Sequence, residues 1–347
     1  LDAAASWGEH YSEILLNAGF ARGLASSCHF YHAARDIPVL AHGDDFVSAA
    51  DDSQLQWLEG VLRKEYECKT TIIGPGDDAQ KQGRILGRVI TYCDWGIQYE
   101  ADPVHAETIL RELNLESARP VGSPCTDASV SATHCGAETE TSAAGSATHC
   151  GADAGPGKRH ANLAERRRAV GSQKDLPLEL PTQECLPESD SPPLTGEALT
   201  KYQSVAARLN YLALDRPDLQ YAAKERMRKM SSATEADVAK LKRAARYLSS
   251  RPRAVLSFPW GQPAAKMTAY VDSDFAGCTS TRKSTSGGAV FWGETCLKSW
   301  SKTQPTIALS SGEAELAAVV RGAAELLGMR SAFQDFGLTA ELAMLSD

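Results

Sequence analysis

Between residues 126 and 195 the chain loses the apolar periodicity that a folded core needs, and its composition shifts to Ala, Gly, Ser, Thr and Pro. A segment of this kind buries too little apolar surface to offset the entropy of ordering it. It reads as a long disordered linker with folding units on either side. Within it lie a duplicated heptapeptide, Ser131-Ala-Thr-His-Cys-Gly-Ala137 and Ser146-Ala-Thr-His-Cys-Gly-Ala152, and the basic run Arg166-Arg-Arg168. The two His-Cys pairs are soft zinc ligands by type, but adjacent ligands in a coil of small residues match none of the usual spacings. A slipped duplication in an unconstrained segment accounts for them.

What remains outside the linker is long enough, in a chain of 347 residues with 43% apolar content, for two domains with their own cores. The nine cysteines include no CxxC pair, which points to reduced thiols and an intracellular setting, cytoplasmic with nuclear access. No apolar run approaches the roughly 20 residues that span a bilayer, and no signal-peptide pattern opens the chain, so no membrane partner is expected. Leu1 and Asp347 read as cut ends, the latter closing the apolar run Leu342-Ala-Met-Leu345 without a turn. The net charge of -8 argues against wholesale polyanion binding. Between Glu197 and Arg253, however, thirteen Lys/Arg stand against six Asp/Glu, a local balance of +7 that suits a nucleic-acid surface.

Residues 1–125 read as a mixed α/β unit. Trp7, Tyr11, Ile14, Leu15 and Ala18 recur at helical spacing up to Gly19, a natural stop. Apolar runs flank Gly43-Asp44-Asp45, which predicts two strands around a tight acidic turn. Leu55, Leu58, Val61 and Leu62 begin a second helix. Gly83 to Tyr92 and Gly96 to Tyr99 predict a second hairpin, and His105 to Leu115 a helix. Residues 199–258 predict a helical, basic segment: Tyr202, Val205, Ala206, Leu209 and Leu212 form a stripe, Arg216-Pro217-Asp218 breaks it, and Leu219 to Met230 resumes. Thr234 and Asp237 have capping-box spacing. The helix they open places Val238, Leu241, Ala245 and Leu248 on one face, and Lys240, Lys242, Arg243 and Arg246 on the rest, either as a solvated face or as phosphate contacts.

Residues 266–347 predict strands at Met267 to Asp272, Gly288 to Trp292, Leu297 to Ser301 and Leu342 to Ser346, with a long helix from Ser310 before the last. The period of two puts Asp272 beside Tyr270, on the pleat opposite Val271. Ser310 and Glu313 have cap spacing, which assigns Glu313 to the helix start and leaves Glu315 one turn in. Leu316, Val319, Val320, Ala323 and Leu327 are the expected buried stripe. A strand-helix-strand crossover returns a parallel strand to the sheet and brings Asp347 toward Asp272. Three converging carboxylates would hold two Mg²⁺ ions, with Mn²⁺ an alternative, about 4 Å apart, and activate water against a phosphodiester. The competing explanation is that a strand-end Asp and a helix-start Glu are ordinary solvated residues.

Tyr270-Val-Asp-Ser-Asp-Phe-Ala-Gly277, Arg282-Lys-Ser-Thr-Ser-Gly287, Ser299-Trp-Ser-Lys302 with Gln304-Pro305, and Ala308-Leu-Ser-Ser-Gly-Glu-Ala-Glu315 together resemble the ribonuclease H domain of copia-type LTR retrotransposon polyproteins. Tyr202-Gln-Ser-Val-Ala-Ala-Arg-Leu-Asn-Tyr211, Asp215-Arg-Pro-Asp218 and Lys242-Arg-Ala-Ala-Arg-Tyr-Leu248 resemble the connection that precedes it, and residues 1–125 the C-terminal part of the reverse transcriptase. The resemblance implies an α/β architecture: a partial α+β palm-like domain, then a ribonuclease H-like mixed sheet flanked by helices, with the linker 126–198 between. It implies metal-binding roles for Asp272, Glu315 and Asp347 in ribonuclease H and for Asp44 and Asp45 in the polymerase hairpin, where the family's Tyr and small apolar residue are replaced by His42 and Gly43. It favours a grip on the primer-template for Lys240, Lys242, Arg243 and Arg246, and offers Arg282 and Lys302 either as hybrid contacts or as exposed turn charge. The implied partners are an RNA/DNA hybrid, an RNA template with DNA primer, dNTPs, and the integrase, protease and Gag segments of a polyprotein. The alternative from another class is a non-catalytic retroelement remnant that folds and binds nucleic acid without turnover.

Overall fold

A computed structural model describes residues 2–125, 191–261 and 264–346. Most of the expected linker, with its duplicated heptapeptide, and Asp347 lie outside the described residues. Among the described residues the strands form three four-stranded sheets, and no helix is long and apolar enough to cross a membrane.

The first unit holds α1 (Asp2–Asn17), β1 (Ala21–Arg22), β2 (His29–His32), β3 (Ile37–His42), β4 (Asp45–Ser48) and α2 (Asp52–Leu62). α1 ends where expected, Gly19 taking the left-handed φ of +97° that L side chains resist. The four strands pair antiparallel in sequence order. Ile37, Val39 and Ala41 alternate onto the buried face, where they meet Tyr11 and Leu15 of α1 and Leu58 and Leu62 of α2.

The second sheet departs from the expected single hairpin. The stretch from Gly83 to Tyr92 is itself folded back into β5 (Gln82–Ile85) and β6 (Arg88–Cys93), followed by β7 (Gly96–Ala101). The turn is Leu86-Gly87, at φ +51° and +73°, the two left-handed positions of a type I′ turn. Leucine carries no local signal for that conformation. A local bond and a tertiary one hold it: Arg88 Nη1 and, from a helix later in the chain, Tyr211 Oη both donate to the Leu86 carbonyl, at 2.7 and 3.2 Å.

The core does not respect the composition break. α3 (Val104–Glu112), which precedes residue 126, packs with α4 (Gly196–Leu212), α5 (Gln220–Met227) and α6 (Glu235–Ser250) around Ile109, Leu209, Leu219, Leu241 and Leu248. β8 (Leu256–Pro259) then pairs antiparallel with β7 and completes the second sheet. Residues before 199 are tied to the helical unit as well: Leu194 N donates to the Ala233 carbonyl at 2.8 Å, and Ser191 Oγ accepts from Ala236 N at 2.9 Å. The capping box at Thr234 is present, with Asp237 Oδ2 accepting from the Thr234 amide at 2.9 Å.

The third sheet has the order β11-β10-β9-β12, built from β9 (Lys266–Ser273), β10 (Thr285–Trp292), β11 (Thr295–Thr303) and β12 (Glu341–Leu345). β9, β10 and β11 are antiparallel neighbours, and β12 lies parallel to β9, returned by α7 (Ser311–Asp335) as the crossover rule requires. α7 is turned away from the expected face. Its buried residues are Ala314, Ala318, Gly322 and Leu326, while Leu316 and Val320 are 61% and 62% exposed. The helix lies too close to the sheet for large side chains there: a Cβ on Gly322 would collide with Val271 Cγ1. Gly288 answers to a different neighbour: Trp300, its strand partner on β11, lies so tightly over it that an added Cβ would meet the indole ring.

α7 also docks this unit onto the first. Asp335, with 4% of its side chain exposed, accepts from the amides of Leu24, Ala25 and Ser26 at 2.7, 3.1 and 3.0 Å and from His29 Nδ1 at 2.9 Å.

Candidate functional site

Asp272 is the penultimate residue of β9, half-buried and paired across the sheet with Gly287. Its Oδ1 accepts from the Ser273 amide at 2.7 Å. Val271 faces α7 beneath Gly322, so alternation turns Asp272 to the opposite pleat, as the sequence period required. Glu315 lies in the second turn of α7, exposed. The start of that helix is tied to the same end of the sheet through Gln304, whose Nε2 donates to Ser286 Oγ at 3.0 Å and to the Ala314 carbonyl at 2.8 Å. Ser286 is the strand partner of Ser273. Asp272 and Glu315 therefore stand on elements tied at one end of one sheet, Asp272 on the pleat away from α7 and Glu315 exposed on α7 itself.

Glu313 takes the capping role. Ser310 Oγ accepts from the Glu313 amide at 3.2 Å, and Glu313 Oε2 accepts from the Leu309 amide at 2.7 Å. Among the described residues no group of three or more His, Cys, Asp or Glu side chains is gathered in a metal-holding arrangement, and Asp347, the expected third ligand, lies outside them.

The other acidic pair sits on a β-hairpin. His42 pairs with Asp45 across the ends of β3 and β4, and Gly43 takes φ +62° at the first of two turn positions, the place where a type II′ turn demands glycine. Trp7 Nε1 donates to the Gly43 carbonyl at 2.6 Å and fixes the turn against α1. Asp44 and Asp45 are both exposed at its tip.

The basic residues divide by what they touch. Lys242 on α6, Arg282 in the β9–β10 loop and Lys302 on β11 are exposed. Lys240 and Arg243 are half-buried, and Arg246 Nε donates to the Arg119 carbonyl at 2.8 Å, which anchors the chain beyond α3. Much of the local positive charge is matched within the fold: Arg253 meets Glu100 at 2.5 Å, Arg208 meets Glu112 at 3.6 Å, and Lys224 and Arg228 both meet Glu225.

Two clusters had no sequence signal as interactions. In the first, Asp215-Arg216-Pro217-Asp218 is a structural clamp. Asp215 accepts from Arg88 Nε at 3.1 Å and from Tyr99 Oη at 2.7 Å, and burial together with that carboxylate pushes the Tyr99 phenol up to about 12. Arg216 forks onto Asp218 at 2.9 and 2.7 Å, and Tyr247 Oη donates to Asp218 Oδ2 at 2.8 Å. In the second, Cys278 in the β9–β10 loop accepts from Arg228 Nη2 at 3.0 Å. Burial works to raise its thiol, but bonds from Ser280, Thr281 and Arg228 outweigh it and bring it down to about 6.

No family model matches the chain. Among curated proteins, it is 41% identical over 126 residues to an uncharacterized mitochondrial protein of Arabidopsis thaliana, a match covering 36% of this chain and 52% of that protein. It is 34% identical over 158 residues to the retrovirus-related Pol polyprotein from transposon RE2 of the same plant, covering 44% of this chain and 11% of the polyprotein. The corresponding polyprotein from transposon RE1 is 32% identical over 139 residues, covering 40% of this chain and 9% of its own length. The chain thus spans about half the length of the first of these relatives and about a tenth of the polyproteins.

Proposed function

This chain belongs to the Pol polyproteins of copia-type retrotransposons, and on that premise we propose that the β9–β12 unit cleaves the RNA strand of an RNA/DNA hybrid. The Asp44–Asp45 hairpin is, on the same reading, the acidic tip of a polymerase that extends a DNA primer on an RNA template from dNTPs, within a polyprotein that carries further segments. The observation that carries the nuclease reading is the topology: three antiparallel strands, a crossover helix and a parallel fourth strand, with Asp272 and Glu315 on elements joined at one end of the sheet.

The donors fit a hard divalent cation, since carboxylate oxygens are what Mg²⁺ and Mn²⁺ prefer and neither Asp272 nor Glu315 is sealed from solvent. When bound by Asp272, Glu315 and Asp347, such ions supply an activated water and stabilise the leaving oxygen of the cleaved phosphodiester. The protein's part is to hold the acidic side chains in place and to seat the duplex. Lys242, Arg282 and Lys302 are exposed and available for phosphate contacts, which position a duplex without reading its sequence. Arg246 is engaged by the Arg119 carbonyl and contributes mainly to the fold. The test is Mg²⁺-dependent cleavage of an RNA/DNA hybrid, with Asp272→Asn as the control. Loss of cleavage in the variant is expected; equal rates in wild type and variant would leave the non-catalytic remnant as the better description.

A further inference from the structure

We infer that Gln304 is a positioning residue for the acidic pair, an inference that rests on the nuclease reading above. Gln304 lies in the connection from β11 to α7 and is 4% exposed. Its amide N donates to the Ser284 carbonyl at 2.8 Å, which plants the residue at the start of β10. Its side-chain Nε2 then spends both hydrogens on different elements, one on Ser286 Oγ and one on the Ala314 carbonyl. Ser286 faces Ser273, the residue after Asp272, and Ala314 precedes Glu315. A single buried amide therefore links the strand end that carries one acid to the helical turn that carries the other.

The surroundings make that link specific. Ser284, fully buried, accepts from the Ala276 amide at 2.9 Å through Oγ, and Asp274 Oδ1 accepts from the Thr285 amide at 2.6 Å, so the loop after Asp272 is pinned to β10 as well. On the helix side Ala314 and Ala318 are buried and Leu316 is 61% exposed, so the first turns are seated by small side chains and by the Ser310 and Glu313 cap bonds, which fix the helix start but do not reach β10. The hydrogen bond from Gln304 to the Ala314 carbonyl ties that turn to β10. Bonds made directly to metal-ligating side chains are worth about 10- to 100-fold in metal affinity, and Gln304, which acts one step further out through Ser286 and the Ala314 carbonyl, stands at or below the lower end of that range.

Gln304→Met keeps the length of the side chain and removes both donors. The test uses the full chain and Mn²⁺ alone, read by the electron paramagnetic resonance of the free ion, with hydrogen exchange of the amides of residues 314–318 measured in parallel. Leu326→Ala, a buried change near the far end of α7, serves as the control for general loss of stability. Gln304→Met is expected to weaken the Asp272-dependent Mn²⁺ binding severalfold, up to about 10-fold, and to speed exchange in the first turns of α7, whereas Leu326→Ala leaves Mn²⁺ affinity unchanged. Added to Asp272→Asn, Gln304→Met is expected to cost nothing further, because it acts through the site already broken. Wild-type affinity in Gln304→Met, or the same loss in Leu326→Ala, overturns the positioning role while leaving the nuclease reading in place. Mn²⁺ binding that Asp272→Asn does not alter is the separate result that removes the nuclease reading, and the inference with it.

Discussion

Replacing Arg216 by Met should be among the most destabilising single changes in the helical part of this protein. Only 2% of the Arg216 side chain is exposed, and its guanidinium makes four bonds: two to Asp218 and one each to the carbonyls of Arg251 and Pro252, at 2.9 and 3.2 Å. Methionine fills the space but leaves both carbonyls without that donor and Asp218 with Tyr247 as its remaining side-chain donor. Removing one partner of a buried ion pair costs about 3–5 kcal/mol, and since 32% of the Asp218 side chain reaches solvent, the lower end applies, about 3 kcal/mol. At roughly 2–4 °C per kcal/mol for a domain of this size, the melting temperature should fall by about 6–12 °C.

Urea unfolding followed by helical circular dichroism at pH 7 measures the loss, and a pH series tests its origin. Burial alone would raise the Asp218 carboxyl, but the Arg216 fork and the Tyr247 hydroxyl outweigh it and hold the group below its ordinary value of 3.8. A depressed carboxyl contributes stability that is present above the unfolded value and fades as pH falls through the folded one. The gap between wild type and variant should therefore be full above about pH 4 and narrow below it. A loss under about 0.5 kcal/mol, the usual range for surface changes, would refute the clamp.

Gly288→Ala should cost about 1–3 kcal/mol by overpacking, because the new methyl meets the Trp300 ring; near-ultraviolet circular dichroism should show the displaced indole. Asp335→Ala should speed hydrogen exchange at Leu24, Ala25 and Ser26, each of which loses its acceptor, with little change in β9 and β10. The Asp335 carboxyl is also held below its ordinary value, by bonds from Ala25, His29, Leu24 and Ser26 that outweigh burial, so this docking should weaken only as pH falls below about 4. Cys278 should react with iodoacetamide along a pH profile centred at about 6, and Arg228→Ala should move that midpoint upward; an unmoved midpoint would dissociate the thiolate from its arginine.

Local chemistry was legible wherever one residue type answers one backbone need. Thr234 with Asp237 and Ser310 with Glu313 announced two helix starts, and both cap in the expected way. Gly43 between apolar runs announced the hairpin that presents Asp44 and Asp45. The alternation Met267, Ala269, Val271 marked the buried face of β9 and put Asp272 on the other. The turn at Leu86-Gly87 was not legible, because its leucine carbonyl is held by Tyr211 from α4 and by Arg88, whose guanidinium is in turn oriented by Asp215 and Tyr211.

The sequence by itself determined most of the helices, the strands of the third sheet, the acidic residues and the crossover that sets β12 parallel to β9, since periodicity, capping and chain handedness act within a few residues or follow from L-amino-acid geometry. Tertiary structure decided the rest. It chose the small-residue face of α7 over the leucine-rich one, because helix-to-sheet distance is set by what Val271 and Gly322 can share. It joined α3 to α4 and α6 across the composition break, because an apolar stripe records that a face is buried and not what buries it. It also matched much of the basic segment to Glu100, Glu112, Asp218 and Glu225, so that a charge balance legible in the sequence became partly a surface and partly a set of internal bonds.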